Sequence, residues 1–157
     1  RILFYEEALL AIEPPRTWAT LARKTGAALA AGENVPDEAG FAELVKARGV
    51  QFIQPDVAKW GGLTGTLAAG RQARAAGVTV SPHFMGTAVG LAASLHLLAA
   101  TGGAGRVELD ANPNPLRTDF APALDLRVTD GTVSLPTGPG LGVEPDTDAL
   151  RRYGIRH

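Results

Sequence analysis

Along residues 1–111, short apolar runs alternate with longer stretches in which apolar positions recur every three or four residues. This is the rhythm of strand followed by helix, not of a sandwich or a bundle. The runs ILFYEE (2–7), AALAAGEN (27–34), VQFIQPD (50–56), VTVSPH (78–83) and RVELD (106–110) are expected strands. Between them, PPRTWATLARKTG (14–26) has prolines at a helix start and Gly26 at its end, and VPDEAGFAELVKARG (35–49) opens on Pro36 and Asp37 and closes at Gly49. GLTGTLAAGRQARAAG (62–77) places Leu63, Leu67 and Ala68 on one face, and GTAVGLAASLHLLAATGG (86–103) is apolar enough to be largely buried.

After Asp110 the rhythm stops. NPNPLR (112–117) is rich in turn residues, LDLRVTDGTVSLP (124–136) reads as a hairpin around Asp130 and Gly131, and TGPGLGVEPD (137–146) is a proline and glycine loop before a short closing helix, TDALRRYG (147–154). The expected organisation is therefore a catalytic β/α portion over residues 1–111 and a C-terminal wrap over 112–157.

Polar residues stand at the ends of the expected strands with an even step. Glu6 is followed by Glu33 after 27 residues, by Asp56 after 23 more, by His83 after 27 and by Glu108 after 25. Each step equals one strand, one helix and two loops. In a right-handed parallel array the C-terminal strand ends share one face, where such folds place their chemistry, so these five residues are expected to meet.

Composition narrows the classes of function. The 157 residues are 45% hydrophobic and 20% charged with a formal net charge of −1, ordinary for one globular domain. The balanced charge offers no basic field for nucleic acid, and no basic amphipathic stretch points to a membrane surface. With no cysteine, a metal would sit on oxygen or imidazole ligands. Without a secretory signal or a long apolar run, the chain reads as soluble and cytoplasmic. It begins RILFYEEALL, with no initiator methionine and already inside an expected strand.

Taken singly, the five polar residues are ambiguous. Glu6 and Glu33 suit a hard divalent cation such as magnesium, but for either one alone a solvated charge or a helix N-terminus is the better reading. His83 gains weight from Asp56 at the adjacent strand end, because a carboxylate beside an imidazole fixes its tautomer and raises its basicity, as a general base requires. Glu108 could stay protonated and donate to developing negative charge, but taken alone it reads better as an ion-pair partner of Arg106 or another basic neighbour. His96, within an expected helix, and His157, at the terminus, read as structural or exposed.

The segments YEEAL, AAGEN, QPDVAKWGGLTG, VSPHFMG, VELDANPNPLR and LPTGPGLGVEPD, in this order and spacing, resemble the C-terminal part of an enolase-superfamily enzyme of the mandelate racemase subgroup. The resemblance implies the later strands of a (β/α)7β barrel. It also implies Mg2+-dependent abstraction of a proton alpha to a carboxylate, through an ene-diolate. It makes Glu6 and Glu33 metal ligands, His83 the general base, Asp56 its orienting partner and Glu108 a donor to the substrate carboxylate. Aspartate at position 56 with histidine at position 83 is the mandelate racemase pattern, where the muconate-lactonizing subgroup has a lysine in place of the aspartate. The implied substrate is a small hydroxy-carboxylate and the implied outcome is dehydration of a sugar-derived acid, with racemisation, epimerisation or cycloisomerisation as alternatives.

Two departures accompany the resemblance. Ala8 stands where the family has a proline after its two glutamates. The family's capping domain, earlier strands and first metal carboxylate have no counterpart in these residues, so completion by an N-terminal portion, or homo-oligomerisation, is expected. A non-catalytic half barrel that self-associates is the non-enzymatic alternative. GGLTG (61–65) also resembles an anion cradle, but it lacks the lysine and hydroxyl residue of a P-loop, and a tight turn fits it better.

Overall fold

The computed structural model describes residues 2–122, 124 and 128–154. Its centre is a sheet of four parallel strands in chain order: β1 (Tyr5–Glu6), β2 (Leu29–Ala31), β3 (Phe52–Ile53) and β4 (Thr79–Val80). The register pairs Glu6 with Ala30, Ala31 with Ile53 and Ile53 with Val80. Each strand is followed by a helix that returns the chain to the same edge: α1 (Pro15–Thr25), α2 (Glu38–Lys46), α3 (Gly62–Ala75) and α4 (Ala88–Thr101). This is the parallel β/α architecture expected from the alternation.

The helix ends follow from local chemistry. Pro15 occupies the first turn of α1, where a missing N–H removes no helix bond, and Gly26 closes the helix in the left-handed region at φ 66°. Asp37 caps α2 by accepting from the Gly40 amide at 2.8 Å, and Thr87 caps α4 by accepting from Gly90 at 3.3 Å. The GGLTG segment forms a turn in which Gly61 and Gly62 both have positive φ, and α3 starts from it. Apolar over most of its length, α4 buries Leu91, Leu95 and Leu97 with Ala88, Ala92 and Ala93.

Trp18, Leu29, Phe41, Ile53 and Val80, each at most 2% exposed, form the core between sheet and helices. The Phe41 ring sits 5.2 Å from that of Trp60, closing the core at the strand-end side. At Gly32, between β2 and Glu33, a Cβ would stand 2.9 Å from the Gln54 nitrogen and 3.1 Å from the Phe41 ring. Only glycine admits that approach, and it delivers Glu33 to the strand-end edge.

Three expectations are corrected. The expected strand RVELD forms no ladder: Gly105 lies so close to the Val80 carbonyl that a Cβ would collide with it, and the Arg106 amide donates to the Ser81 side chain at 3.1 Å instead. The expected hairpin at 124–136 reduces, among the described residues, to one antiparallel bridge between Thr129 and Thr132, and its residues 125–127 lie outside the described set. The four expected strands are also trimmed to two or three paired residues, because proline, glycine and acidic residues at their ends leave the ladder.

In the C-terminal segment, NPNPLR contains a short helix, α5 (Pro115–Thr118), capped by Asn114, and α6 (Thr147–Tyr153) is capped by Asp146. The segment is tied to the array by Asn114 Nδ2 donating to the Gly86 carbonyl at 2.9 Å and by His96 Nε2 at 3.2 Å from the Leu141 carbonyl. His96 is thus a tether between α4 and the loop, while His157 lies outside the described residues. Among the described residues no helix is long and apolar enough to cross a membrane.

Phe41 fills the centre of the core and cannot be replaced by repacking of short side chains. Phe41→Ala is expected to destabilise the fold by about 3–5 kcal/mol, measured as a shift in urea unfolding at unchanged m-value.

Candidate active site

All five strand-end residues sit on one edge, as the even spacing predicts. Glu6 ends β1, Glu33 follows β2, Asp56 follows β3, and His83 follows β4. Glu108 comes from the irregular segment beside β4. Glu6, Glu33, His83 and Glu108 line an open cleft of ≈ 350 Å³ together with Phe84, Met85, Leu109 and Asp110. A larger hollow of ≈ 700 Å³, lined by Ile2, Leu3, Tyr5, the 26–28 segment and Arg106, lies at the opposite strand ends and holds none of the five.

His83 is the hub. It is 6% exposed, and its Nδ1 lies 2.7 Å from Asp56 Oδ2, itself on a residue 5% exposed. Its Nε2 lies 2.8 Å from Glu33 Oε2 and 3.9 Å from Glu108 Oε2. Carboxylates only accept, so both short contacts exist together when the ring carries both protons. The hydrogen bond to Asp56 raises the His83 pKa above the ordinary value. Burial opposes the rise, and the negative charges of Glu33 and Glu108 add to it.

Asp56 is oriented by its own turn. Its Oδ1 accepts from the Ala58 amide at 2.7 Å and the Lys59 amide at 3.3 Å, which leaves Oδ2 for the imidazole. Burial pushes the Asp56 carboxyl up, but the hydrogen bond from His83, those backbone bonds and the imidazole charge outweigh it and hold the group below the usual aspartate value. The pair therefore favours aspartate beside imidazolium.

Glu108 shifts the other way. Burial is the chief cause of its raised pKa; the Phe84 amide, donating to Oε2 at 2.8 Å, opposes the shift, and the charge of nearby Glu6 reinforces it. Glu108 is therefore biased toward the protonated donor form. Among the described residues it makes no ion pair with Arg106, and its basic neighbour is His83, whose Nε2 lies 3.9 Å from Oε2.

Two members of the site escaped sequence reasoning. Lys59 Nζ contacts Glu33 Oε1 at 2.9 Å, and Gln54 Nε2 donates to Glu6 Oε1 at 2.8 Å. Both belong to the same QPDVAKW stretch as Asp56, so three side chains from one strand end hold three residues from other strand ends. Gln54 stands two positions before Asp56, and the two-residue period of a strand was the signal that could have placed both on one face. The direct contact of His83 with Glu33 had no signal in the sequence.

Glu6 and Glu33 present hard oxygen ligands beside a third carboxylate, and crowded carboxylates favour a bound cation. Among the described residues no group of three His, Cys, Asp or Glu has a metal-holding arrangement. Both Glu33 oxygens are engaged, Oε1 by Lys59 and Oε2 by His83, so Glu6 and Glu33 match a hard divalent cation in donor chemistry without forming a metal-holding group among these residues.

The family model described as "Enolase C-terminal domain-like" matches residues 1–149. A D-galactarolactone cycloisomerase of Agrobacterium fabrum is 34% identical over 80% of this chain and 35% of its own length. A D-galactonate dehydratase of Ralstonia pickettii is 33% identical over 93% of the chain and 39% of its own length. Among solved structures, a mandelate racemase/muconate lactonizing enzyme from Bordetella bronchiseptica RB50 is 45% identical with a TM-score of 0.86 over 94% of this chain and 41% of that one. The 3,6-anhydro-D-galactonate cycloisomerase from Zobellia galactanivorans is 30% identical with a TM-score of 0.87 over 97% and 42%. The chain spans well under half the length of these relatives.

The Asp56 and His83 shifts have opposite signs and define a pH window. Asp56, lowered in the fold, stabilises above its unfolded pKa, and that contribution is lost as pH falls through the folded value. His83, raised in the fold, stabilises below its unfolded pKa, and that contribution is lost as pH rises through the folded value. The pair is expected to contribute most between roughly pH 4 and 6.5. In Asp56→Asn that maximum should vanish from unfolding free energy plotted against pH, and the His83 pKa, followed by ring-nitrogen NMR, should fall.

Proposed function

The chain belongs to the enolase C-terminal domain-like family, in its mandelate racemase and muconate lactonizing enzyme branch. From that premise we propose that the complete polypeptide carrying it removes the proton alpha to the carboxylate of a small sugar-derived hydroxy acid. The observation behind this reading is His83, held at Nδ1 by buried Asp56 with Nε2 turned to a cleft lined by Glu6, Glu33 and Glu108.

A carbon acid beside a carboxylate is so weak that an imidazole can deprotonate it only if the resulting ene-diolate charge is stabilised in place. Glu6 and Glu33 are assigned as holders of Mg2+, which when bound supplies electrostatic stabilisation of that charge. His83 accepts the proton at Nε2. Asp56 keeps the other ring proton at Nδ1 and stabilises the imidazolium that forms. Glu108, whose pKa is raised by burial and by the charge of Glu6, donates to a substrate carboxylate oxygen when it carries its proton.

Dehydration is the favoured outcome. The bond from the adjacent carbon to its hydroxyl breaks, the imidazolium returns the proton to the departing oxygen, and water leaves. Several relatives named D-galactonate dehydratase support this course over more than 90% of the chain. Cycloisomerisation is the second reading, supported by the galactarolactone and anhydrogalactonate cycloisomerases among the relatives. In both, the same base and stabilising groups act on the alpha carbon, and only the fate of the anion differs. Residues 1–111 are assigned as the catalytic barrel portion and 112–157 as the wrap against it.

His83→Asn keeps a hydrogen bond to Asp56 but cannot act as a base. It is expected to lower kcat about 100-fold or more on a panel of aldonic and aldaric acids with Mg2+, and to remove exchange of the alpha proton in D2O. Retention of exchange at the wild-type rate would sink the assignment of His83 as the base.

A further inference from the structure

One fully buried polar side chain beside the site has no part in the reaction just described. Gln54 has no exposed surface, and its Nε2 donates to Glu6 Oε1 at 2.8 Å, a bond that reaches from the end of β3 past β2 to the end of β1. An ionised carboxylate offers only acceptors, so Gln54 must turn its NH2 toward Glu6 and its Oε1 away. On that side Oε1 meets no donor among the described residues. A buried amide oxygen without a donor opposes folding, and an apolar residue of similar volume would not carry this cost. Packing alone therefore gives no reason for an amide at position 54.

Glu6 supplies the reason. Its carboxylate lines the cleft, and the Gln54 amide is the donor that the described residues supply to its Oε1. Gln54 provides the restraint from within the core. It also does so without charge, in contrast to Lys59 on Glu33, so it does not oppose a cation electrostatically. We propose that Gln54 is a positioning residue for a divalent cation: its amide fixes one oxygen of Glu6 and so holds that carboxylate in the cleft. The inference rests on the reading of Glu6 as a metal ligand.

The test uses Mn2+ as the probe, with free Mn2+ read by electron paramagnetic resonance, on the complete polypeptide. Gln54→Leu is expected to weaken Mn2+ binding about ten-fold or more while the unfolding midpoint stays level or rises. Gln54→Met, which fills the same space with a longer chain, should give the same loss where leucine disturbs packing. Glu6→Gln should weaken binding by itself, and adding Gln54→Leu to it should cost nothing more, because Gln54 acts through Glu6. An affinity within about two-fold of wild type in both folded position-54 variants overturns the inference, as does an undiminished loss in the Glu6→Gln background. If Glu6→Gln itself leaves Mn2+ affinity unchanged, the ligand assignment fails and the inference falls with it. If Glu6→Gln weakens binding and Gln54→Leu does not, only the inference falls.

Discussion

Parallel pairing in strict chain order is the constraint from which the rest of the structure follows. Each strand is paired over only two or three residues, yet every helix returns the chain to the same side, so every strand ends at the same edge. Side chains 27 and 50 residues apart in sequence, Asp56 and Glu33 on either side of His83, thereby become neighbours a few ångströms apart. A change of strand direction or order would disperse them, whatever their identities. The core serves this arrangement: Gly32 and Phe41 interlock with the β3 end so that Glu33 emerges where His83 can meet it.

Electrostatics then differentiates groups that the fold has merely collected. Three carboxylates, an aspartate and an imidazole share a small region, and they cannot all take their solution protonation states. Asp56 is held ionised by donors from its own turn and from His83, while Glu108 is biased toward protonation by burial and by the charge of Glu6. His83 lies between them with a raised proton affinity. The same residue types, separated in water, would show none of this division between donor, orienting group and base.

The QPDVAKW stretch carries more of the site than its single motif residue suggests. Gln54, Asp56 and Lys59 hold Glu6, His83 and Glu33 respectively, each on a different strand end. One turn after β3 therefore organises three other elements. Its rigidity comes from the backbone bonds that Asp56 accepts from Ala58 and Lys59 and from the Trp60 ring packed on Phe41.

The alternation of apolar runs and helical periods, the helix start at Asp37, and the even spacing of strand-end acids and histidine were all legible in the linear order of residues, because they depend on local backbone preference and on a repeat of nearly constant length. From these follow the parallel β/α class and the identity of the five convergent residues. The fate of RVELD was not legible: its residues suit a strand, but the Arg106 amide donates to the Ser81 side chain in place of a ladder bond. Nor was the Glu33 contact to the far side of the His83 ring, nor the reach of Lys59 and Gln54 across neighbouring strands. Such contacts depend on distances of a few ångströms between side chains on different strands, and only the packed sheet sets those distances.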